Sequence, residues 1–191
     1  MSLIIAAKIG DRVVMMGDSA ESVGPFVESL TERERLKVLR VGDALVGSAG
    51  KVQSIRHLVE NPEWFDTKGE PFDKKFIVTH IVPELFDELD KYGVLGKDDD
   101  DIPCNRATSV IAHRDRIFFL ANNLSVYEVD KFVAVGCTRE LVFPLLRDMK
   151  EGEELATMLE AMRLSSELSS AVRPPYYYVD SATYEFTTVE E

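Results

Sequence analysis

Two stretches of the chain are apolar on both of their alternating faces, and this pattern constrains the fold more than any other feature. Residues 3–7 lead through a short turn into residues 13–16, and residues 109–113 lead through a second turn into residues 116–120. Runs of small and β-branched residues joined by a turn that carries an aspartate predict β-hairpins. Because neither face of these strands is polar, each sheet must be covered on both sides. The pattern predicts a layered structure.

Further strands and helices complete the layers. Residues 39–41 and 44–46 predict another hairpin, residues 125–127 and 132–135 a fourth hairpin or strand pair, and residues 176–188 a terminal strand region. Apolar residues at helical spacing predict four helices between these strands. The four stripes are Val52, Ile55, Leu58 and Val59; Ile77, Ile81, Leu85 and Leu89; Leu141, Val142, Leu145 and Leu146; and Leu155, Met158, Leu159 and Met162.

The order of these elements predicts an α+β fold with two sheets that face each other and helix pairs outside them. Pro62 is expected to end the first helix, and Pro83 to kink or divide the second. Thr138 stands where its hydroxyl can cap the third helix, in which Pro144 marks a local irregularity.

Composition favours one acidic domain. The chain has 191 residues, of which 45% are hydrophobic, so residues 1–191 are expected to form a single domain with a substantial core. The net charge of −12 and the absence of a basic stripe argue against a nucleic-acid partner. Two cysteines are too few for a disulfide framework and fit a reducing compartment.

Targeting signals and metal sites are not expected. The first residues lack the basic and apolar regions of a signal peptide, and no apolar run approaches the roughly 18 residues of a membrane span, so a cytoplasmic location without membrane contact is predicted. Residues 61–72 and 93–103 are predicted to be surface loops. The acidic run at 97–101 lacks the spacing of a calcium loop and is interpreted as solvated. His57, His80 and His113 fall in separate elements, so no metal site is predicted.

Ser2 is a candidate nucleophile because it directly follows Met1. Once Met1 is removed, one residue carries both a hydroxyl and a free amine. An α-amino group has a pKa of about 7.7 to 8.0, so it can accept the hydroxyl proton near neutral pH. Nucleophile and base are then the same residue.

Several short motifs, taken in order, resemble the proteasome β-subunit family and its bacterial relative, the HslV peptidase. These proteins are N-terminal nucleophile hydrolases, and the resemblance implies a four-layer αββα sandwich without a cofactor. The likeness is densest in the first fifty residues and weaker beyond them. The motifs are Ser2 with its apolar hairpin, Gly17-Asp18-Ser19, Lys37-Val38 and Ser48-Ala49-Gly50.

The resemblance assigns a role to each matching residue. Ser2 takes the place of the family's usual threonine as nucleophile. Asp18 and Lys37 are implied to form a carboxylate and ammonium pair beside it, which lowers the proton affinity of the hydroxyl and the amine. Gly50 ends a strand and opens a helix, where its N–H can point at a developing oxyanion. A glycine needed only for the tight turn is the equally open alternative.

Three features depart from the family. The interval from Asp18 to Lys37 is three residues longer, so residues 21–34 are expected to form a longer loop. Gly136-Cys137-Thr138 stands where the family has Gly-Ser-Gly. Cys137 can be a weak hydrogen-bonding group, but a buried inert thiol is the favoured interpretation. Glu167 and Ser170 reproduce the spacing of the family's late aspartate and serine with a longer acid.

Three functions follow from this reading. The first is a peptidase subunit of a self-compartmentalising, homo-oligomeric ring that cleaves peptides or unfolded proteins and can be fed by an AAA+ ATPase unfoldase. The second is a catalytically silent scaffold subunit with the same fold. The third is an acylase that acts on small amides, because fold alone does not fix the substrate.

Overall fold

The computed structural model describes residues 2–19 and 37–190, and the loop predicted at residues 21–34 lies outside them. The strands are β1 (Leu3–Ile9), β2 (Arg12–Gly17), β3 (Val38–Val41), β4 (Ala44–Gly50), β5 (Gly96–Lys97), β6 (Pro103–Cys104), β7 (Ala107–His113), β8 (Arg116–Leu120), β9 (Val126–Val129), β10 (Phe132–Gly136), β11 (Tyr176–Asp180) and β12 (Phe186–Val189). The helices are α1 (Val52–Val59), α2 (Lys74–Phe76), α3 (Val82–Lys91), α4 (Arg139–Arg147) and α5 (Glu154–Leu168), with a 3₁₀ turn at Pro62–Phe65 and a π-helical segment at Ile77–Ile81.

The strands form two five-stranded sheets in which every neighbouring pair is antiparallel. One sheet has the order β10-β1-β2-β11-β12 and the other β3-β4-β7-β8-β9, while β5 and β6 form a small separate ribbon. The predicted hairpins β1–β2, β3–β4 and β7–β8 are confirmed. Residues 176–188 form β11 and most of β12, which pair with each other at the edge of the first sheet.

The predicted pairing of the strands near 125–127 and 132–135 is wrong. β9 pairs with β8 in the second sheet, whereas β10 pairs with β1 in the first. The chain crosses between the sheets at Asp130 and Lys131, and the Lys131 carbonyl accepts a hydrogen bond of 2.8 Å from the Lys8 N–H. A short connection therefore joins two sheets here, although its length is that of a hairpin turn.

Three apolar clusters show how the sheets and helices pack. Between the two sheets, Ile4 and Met15 of the first meet Leu45 and Val110 of the second. The outer face of the first sheet packs against α4 and α5, and the outer face of the second packs against α1, the π-helical segment and α3. Because side chains alternate along a strand, Ile4 points between the sheets while its neighbours Leu3 and Ile5 point toward helices.

The second helical stripe is buried as predicted, with a local irregularity at Pro83, whereas Val52, Leu141 and Leu155 of the other stripes are exposed. Ile77, Ile81, Leu85 and Leu89 all have 0% exposure. The backbone widens to π-helical turns at Ile77–Ile81 and returns to an α-helix at Val82. A proline cannot donate to the preceding turn, and a π-helical segment is one way for a helix to accommodate it.

The capping role predicted for Thr138 is wrong. Thr138 occupies the position before α4, but its side chain makes no capping hydrogen bond. Its hydroxyl is buried and has no hydrogen-bond partner among the described residues. Pro144 lies inside α4, as the sequence places it.

The two predicted loops contain short regular segments. Phe65 and Phe72 of the first loop are buried against the outer helices. In the second loop, Asp98 accepts hydrogen bonds from the N–H groups of Asp100 and Ile102, so its carboxylate closes a local turn. Over residues 2–19 and 37–190, no cluster of histidine, cysteine or acidic residues is arranged to hold a metal ion. Within the same residues, none of the helices has the length and apolar character needed to cross a membrane.

Candidate active site

Ser2 lies immediately before β1 at the end of the first sheet. The residue is 7% exposed. Its carbonyl oxygen accepts a hydrogen bond of 3.0 Å from the Cys137 N–H, at the point where β10 ends. The candidate nucleophile is therefore held by the backbone of a neighbouring strand.

Asp18 lies at the end of β2, beside the start of β1. It is fully buried, and its Oδ1 accepts a hydrogen bond of 2.8 Å from the Leu3 N–H. Its Oδ2 accepts a hydrogen bond of 2.8 Å from the Lys37 ammonium. The two contacts connect Lys37 to the residue that follows Ser2. Each oxygen of this buried carboxylate therefore has a hydrogen-bond donor.

Lys37 is fixed from both of its ends. Its side chain is 12% exposed and pairs with Asp18, while its carbonyl accepts a hydrogen bond of 3.2 Å from the Ser48 N–H. It directly precedes β3, so the second sheet supplies the ammonium and the first supplies the carboxylate. Opposite charges in a low-dielectric setting attract more strongly than at the surface. The contact expected between Asp18 and Lys37 is present, and their catalytic roles stay predictions.

Gly50 is required by packing at the end of β4. Its φ is +133°, and a Cβ there would lie 2.5 Å from the Arg106 carbonyl oxygen and 2.6 Å from the Ala107 Cα. Both are backbone atoms, so no rotamer change relieves the overlap. The close approach of the backbone at the start of β7, together with the positive φ, thus accounts for this glycine. Its role as an oxyanion donor stays a prediction.

Cys137 is not the buried inert thiol that the sequence favours. The residue is exposed, and its Sγ lies 3.5 Å from the Ser2 carbonyl oxygen. The strand β10 ends at Gly136, so Cys137 is carried past the sheet toward Ser2. The alternative interpretation, a weak hydrogen-bonding group at the candidate site, agrees with this position.

Glu167 and Ser170 lie at the end of α5 and in the loop that follows it. Glu167 is exposed in the last turn of α5, and no hydrogen bond among the described residues joins it to Ser2. Ser170 is exposed in the following loop, where its carbonyl accepts a hydrogen bond of 3.2 Å from the Arg173 side chain. Arg173 contacts Ser19, the residue that follows Asp18. The N–H and the hydroxyl of Ser19 donate hydrogen bonds to the Arg173 carbonyl at 3.1 and 3.2 Å. A supporting role for Glu167 and Ser170 stays a prediction.

Two features of this region escaped the sequence reasoning. One is the contact of Ser19 with Arg173, because the two residues are 154 positions apart and carry no shared motif. The other is the position of Gly136, whose φ is +116°. In the sequence, the conformation of Gly136 is indicated only by the glycine at the end of an apolar strand, and that signal is weak.

Comparison by sequence identifies no relatives. No protein-family model matches the chain, and no curated protein matches it.

Comparison by structure places the fold in a class. Solved structures with a proteasome-like fold superpose on nearly the whole chain. They include BPH from Thiobacillus denitrificans in complex with epoxomicin, with 16% identity and a TM-score of 0.73 over 99% of this chain and 100% of that one. They also include Anbu, an ancestral beta-subunit from Yersinia bercovieri, with 12% identity and a TM-score of 0.74 over 99% of this chain and 87% of that one. A structure of Anbu from a Hyphomicrobium strain gives a TM-score of 0.68 at 13% identity, over 98% and 87% of the two chains. At these identities the likeness shows the fold alone, and the particular resemblance to HslV stays a prediction.

Proposed function

We propose that this chain is a peptidase subunit in which Ser2, freed by removal of Met1, is the nucleophile. The observation that supports this most is the Asp18 carboxylate, which binds the Leu3 N–H and the Lys37 ammonium at 2.8 Å each. It places a buried ion pair one residue away from Ser2. A scaffold has no evident need for a buried charge pair at this end of the sheets, because such pairs contribute little to stability.

The proposed fold is the four-layer αββα sandwich of N-terminal nucleophile hydrolases, formed by residues 1–191 as one domain. The apolar cluster between the sheets and the two clusters beneath the helices support this layering. Coverage of 99% of the chain by the structures of BPH and Anbu supports a single domain.

The proposed reaction is acyl transfer followed by hydrolysis. The α-amine of Ser2 takes the hydroxyl proton as the Ser2 oxygen attacks the peptide carbonyl carbon. The proton then passes to the departing amine as the peptide C–N bond breaks, which leaves an ester on Ser2. Water attacks that ester, and the amine again accepts and returns the proton. The Lys37 ammonium lowers the proton affinity of the amine and the hydroxyl, and the Gly50 N–H stabilises the oxyanion.

The proposed substrates are peptides or unfolded proteins. The structure of BPH with epoxomicin supports the use of the same compound as a probe for this chain. The name of Anbu as a beta-subunit supports a homo-oligomer here, and we extend this to a cytoplasmic ring that an AAA+ ATPase can feed.

A catalytically silent scaffold is the second candidate. Ser2 is only 7% exposed, which is low for a group that must meet a substrate. The proteasome-like fold is compatible with either role. In the scaffold, the Asp18 and Lys37 pair would serve only to join the two sheets.

Hydrolysis assays with matched serine variants separate these candidates. We expect wild-type protein without Met1 to cleave fluorogenic peptides faster than simple acyl amides, and Ser2→Ala to abolish cleavage. Ser125→Ala, in the turn before β9, is the control and should retain full activity. Equal activity in wild type and Ser2→Ala would contradict the proposal. Faster turnover of simple amides would favour the acylase, while an inert processed protein that forms a defined oligomer would favour the scaffold.

A further inference from the structure

The carbonyl oxygen of Ser2 is bound by the end of β10. The Cys137 N–H donates to this oxygen at 3.0 Å, and the Cys137 Sγ lies 3.5 Å from it. Gly136 stands opposite Leu3 in the register between β10 and β1. We call the two contacts that Cys137 makes with this oxygen, which the bare backbone of Gly136 leaves room for, the Ser2 carbonyl clamp.

Gly136 leaves no room for a side chain. Its φ of +116° lies in a region that residues with a Cβ rarely adopt. A Cβ on Gly136 would overlap the Ser2 carbonyl oxygen and would lie 2.8 Å from the Ser2 carbonyl carbon. Both are backbone atoms of the candidate nucleophile itself. Relief of the overlap therefore requires a shift of the backbone at Ser2, at Gly136 or at both.

We propose that Gly136 is a positioning residue for the nucleophile, an inference that rests on the proposed function. The absence of a side chain lets the Cys137 N–H fix the peptide group of Ser2. The Ser2 Cα, which carries both the hydroxyl and the amine, is bonded to this group. A shift of the carbonyl by even 1 Å moves both reacting groups, and misplacement of that size can cost about 100-fold in rate.

The strand pairing separates this role from a purely structural one. Ile4, Ile5 and Ala6 pair with Val135, Ala134 and Val133, so β1 and β10 stay joined when the clamp is disturbed. A Gly136→Ala substitution is therefore expected to displace Ser2 while the sheet remains intact.

Gly69 provides a matched control for the backbone. Its φ is +91°, and a Cβ there would have no atom within 4 Å. Gly69→Ala thus carries the cost of an unfavourable φ without touching Ser2.

The first test compares kinetics of the two alanine variants with Met1 removal verified by mass. We expect Gly136→Ala to lower kcat by at least about tenfold with KM changed by less than about twofold, and Gly69→Ala to keep the wild-type kcat. A wild-type kcat in Gly136→Ala, or an equal loss in Gly69→Ala, overturns the proposal.

Variants of Cys137 test the clamp should Gly136→Ala fail to fold. Cys137 is exposed, so its truncation leaves no buried cavity. We expect Cys137→Ala to lower kcat by about threefold at constant KM, because its weak side-chain contact is lost, and Cys137→Ser to restore it. A wild-type kcat in Cys137→Ala overturns the part of the thiol in the clamp.

Hydrogen exchange distinguishes failure of the clamp from failure of the proposed function. We expect the Cys137 N–H to exchange slowly in the wild type and at least about tenfold faster in Gly136→Ala. Cys137→Pro has no N–H at this position, so there we expect the neighbouring Leu3 N–H to exchange at least about tenfold faster than in the wild type. If wild type is catalytically inert but these amides behave as stated, the clamp stands and the peptidase proposal fails. Fast exchange of Cys137 in the wild type overturns the clamp whatever the activity.

Discussion

The Asp18 carboxylate binds the Lys37 ammonium at 2.8 Å across the two facing sheets. Asp18 closes the end of β2 and Lys37 precedes β3, so the pair connects one sheet to the other. The same carboxylate binds the Leu3 N–H, which ties the pair to the first residues of the chain.

Removal of the buried carboxylate is predicted to destabilise the protein. Asp18 is fully buried, so Asp18→Ala leaves the charge of Lys37 without this carboxylate and should lower the free energy of unfolding by about 3 kcal/mol or more. Urea unfolding measures the change. The control is Asp115→Ala, which breaks the exposed pair of Lys8 and Asp115 and should cost about 1 kcal/mol or less. Equal losses of unfolding free energy in the two variants would show that the buried pair stabilises the fold no more than the exposed pair.

Loss of the Lys37 ammonium is predicted to affect turnover. Lys37→Ala should lower the rate of peptide hydrolysis by about 100-fold or more, because the proposed function gives this charge its role at the nucleophile. Lys8→Ala removes a lysine that pairs with Asp115 at the surface and should leave the rate unchanged. Retained activity in Lys37→Ala would mean that another lysine has the catalytic role.

The stability of the protein is predicted to fall in mild acid through His113. The ring of His113 stacks on Phe72 with 4.5 Å between centroids. Burial, with a further contribution from Arg114, lowers the pKa of His113 below its usual 6.5, against the opposing effect of Asp43. The unfolded chain then binds the proton more readily than the folded one. Stability that is present above about pH 6.5 is therefore lost as the pH falls toward the folded pKa.

His113→Phe provides the measurement for this effect. The variant keeps an aromatic ring against Phe72 and does not titrate. Between about pH 8 and about pH 5.5, wild type should lose more free energy of unfolding than His113→Phe. Identical losses would assign the pH dependence to other groups.

Two buried serines are predicted to be coupled. The hydroxyl oxygens of Ser48 and Ser109 lie 2.7 Å apart, on neighbouring strands of the second sheet. Ser48→Ala leaves the Ser109 hydroxyl without this partner and should cost about 1 to 3 kcal/mol, while the double substitution to alanine should cost less than the sum of the single ones. Additive losses in a double-mutant cycle would contradict the coupling.

The elements predicted best from the sequence are those whose local pattern is compatible with only one secondary structure. β1, β2, β7 and β8 are apolar on both faces and joined by short turns, so they could only be hairpins inside a layered fold. The pairing of β9 and β10 failed because the same short connection serves a hairpin or a crossing between sheets. That choice depends on partners far along the chain.

The candidate site was predictable where order along the chain carries the information. The order of Ser2, Asp18 and Lys37 along the chain predicted a shared site, and the structure brings Asp18 and Lys37 into contact. The exposed position of Cys137 was not predictable, because it depends on where β10 ends relative to β1. The Gly136 conformation escaped for the same reason.

The most direct test of the account is the mass of the N-terminal peptide after treatment with a peptide epoxyketone. An epoxyketone carries two electrophilic carbons, so a hydroxyl and a free amine on one residue can both attack it and close a ring. We predict that the mature chain lacks Met1, that Ser2 carries the adduct, and that adduct formation abolishes hydrolysis. Methionine still attached to an active protein, or an adduct at any other residue, would contradict the account.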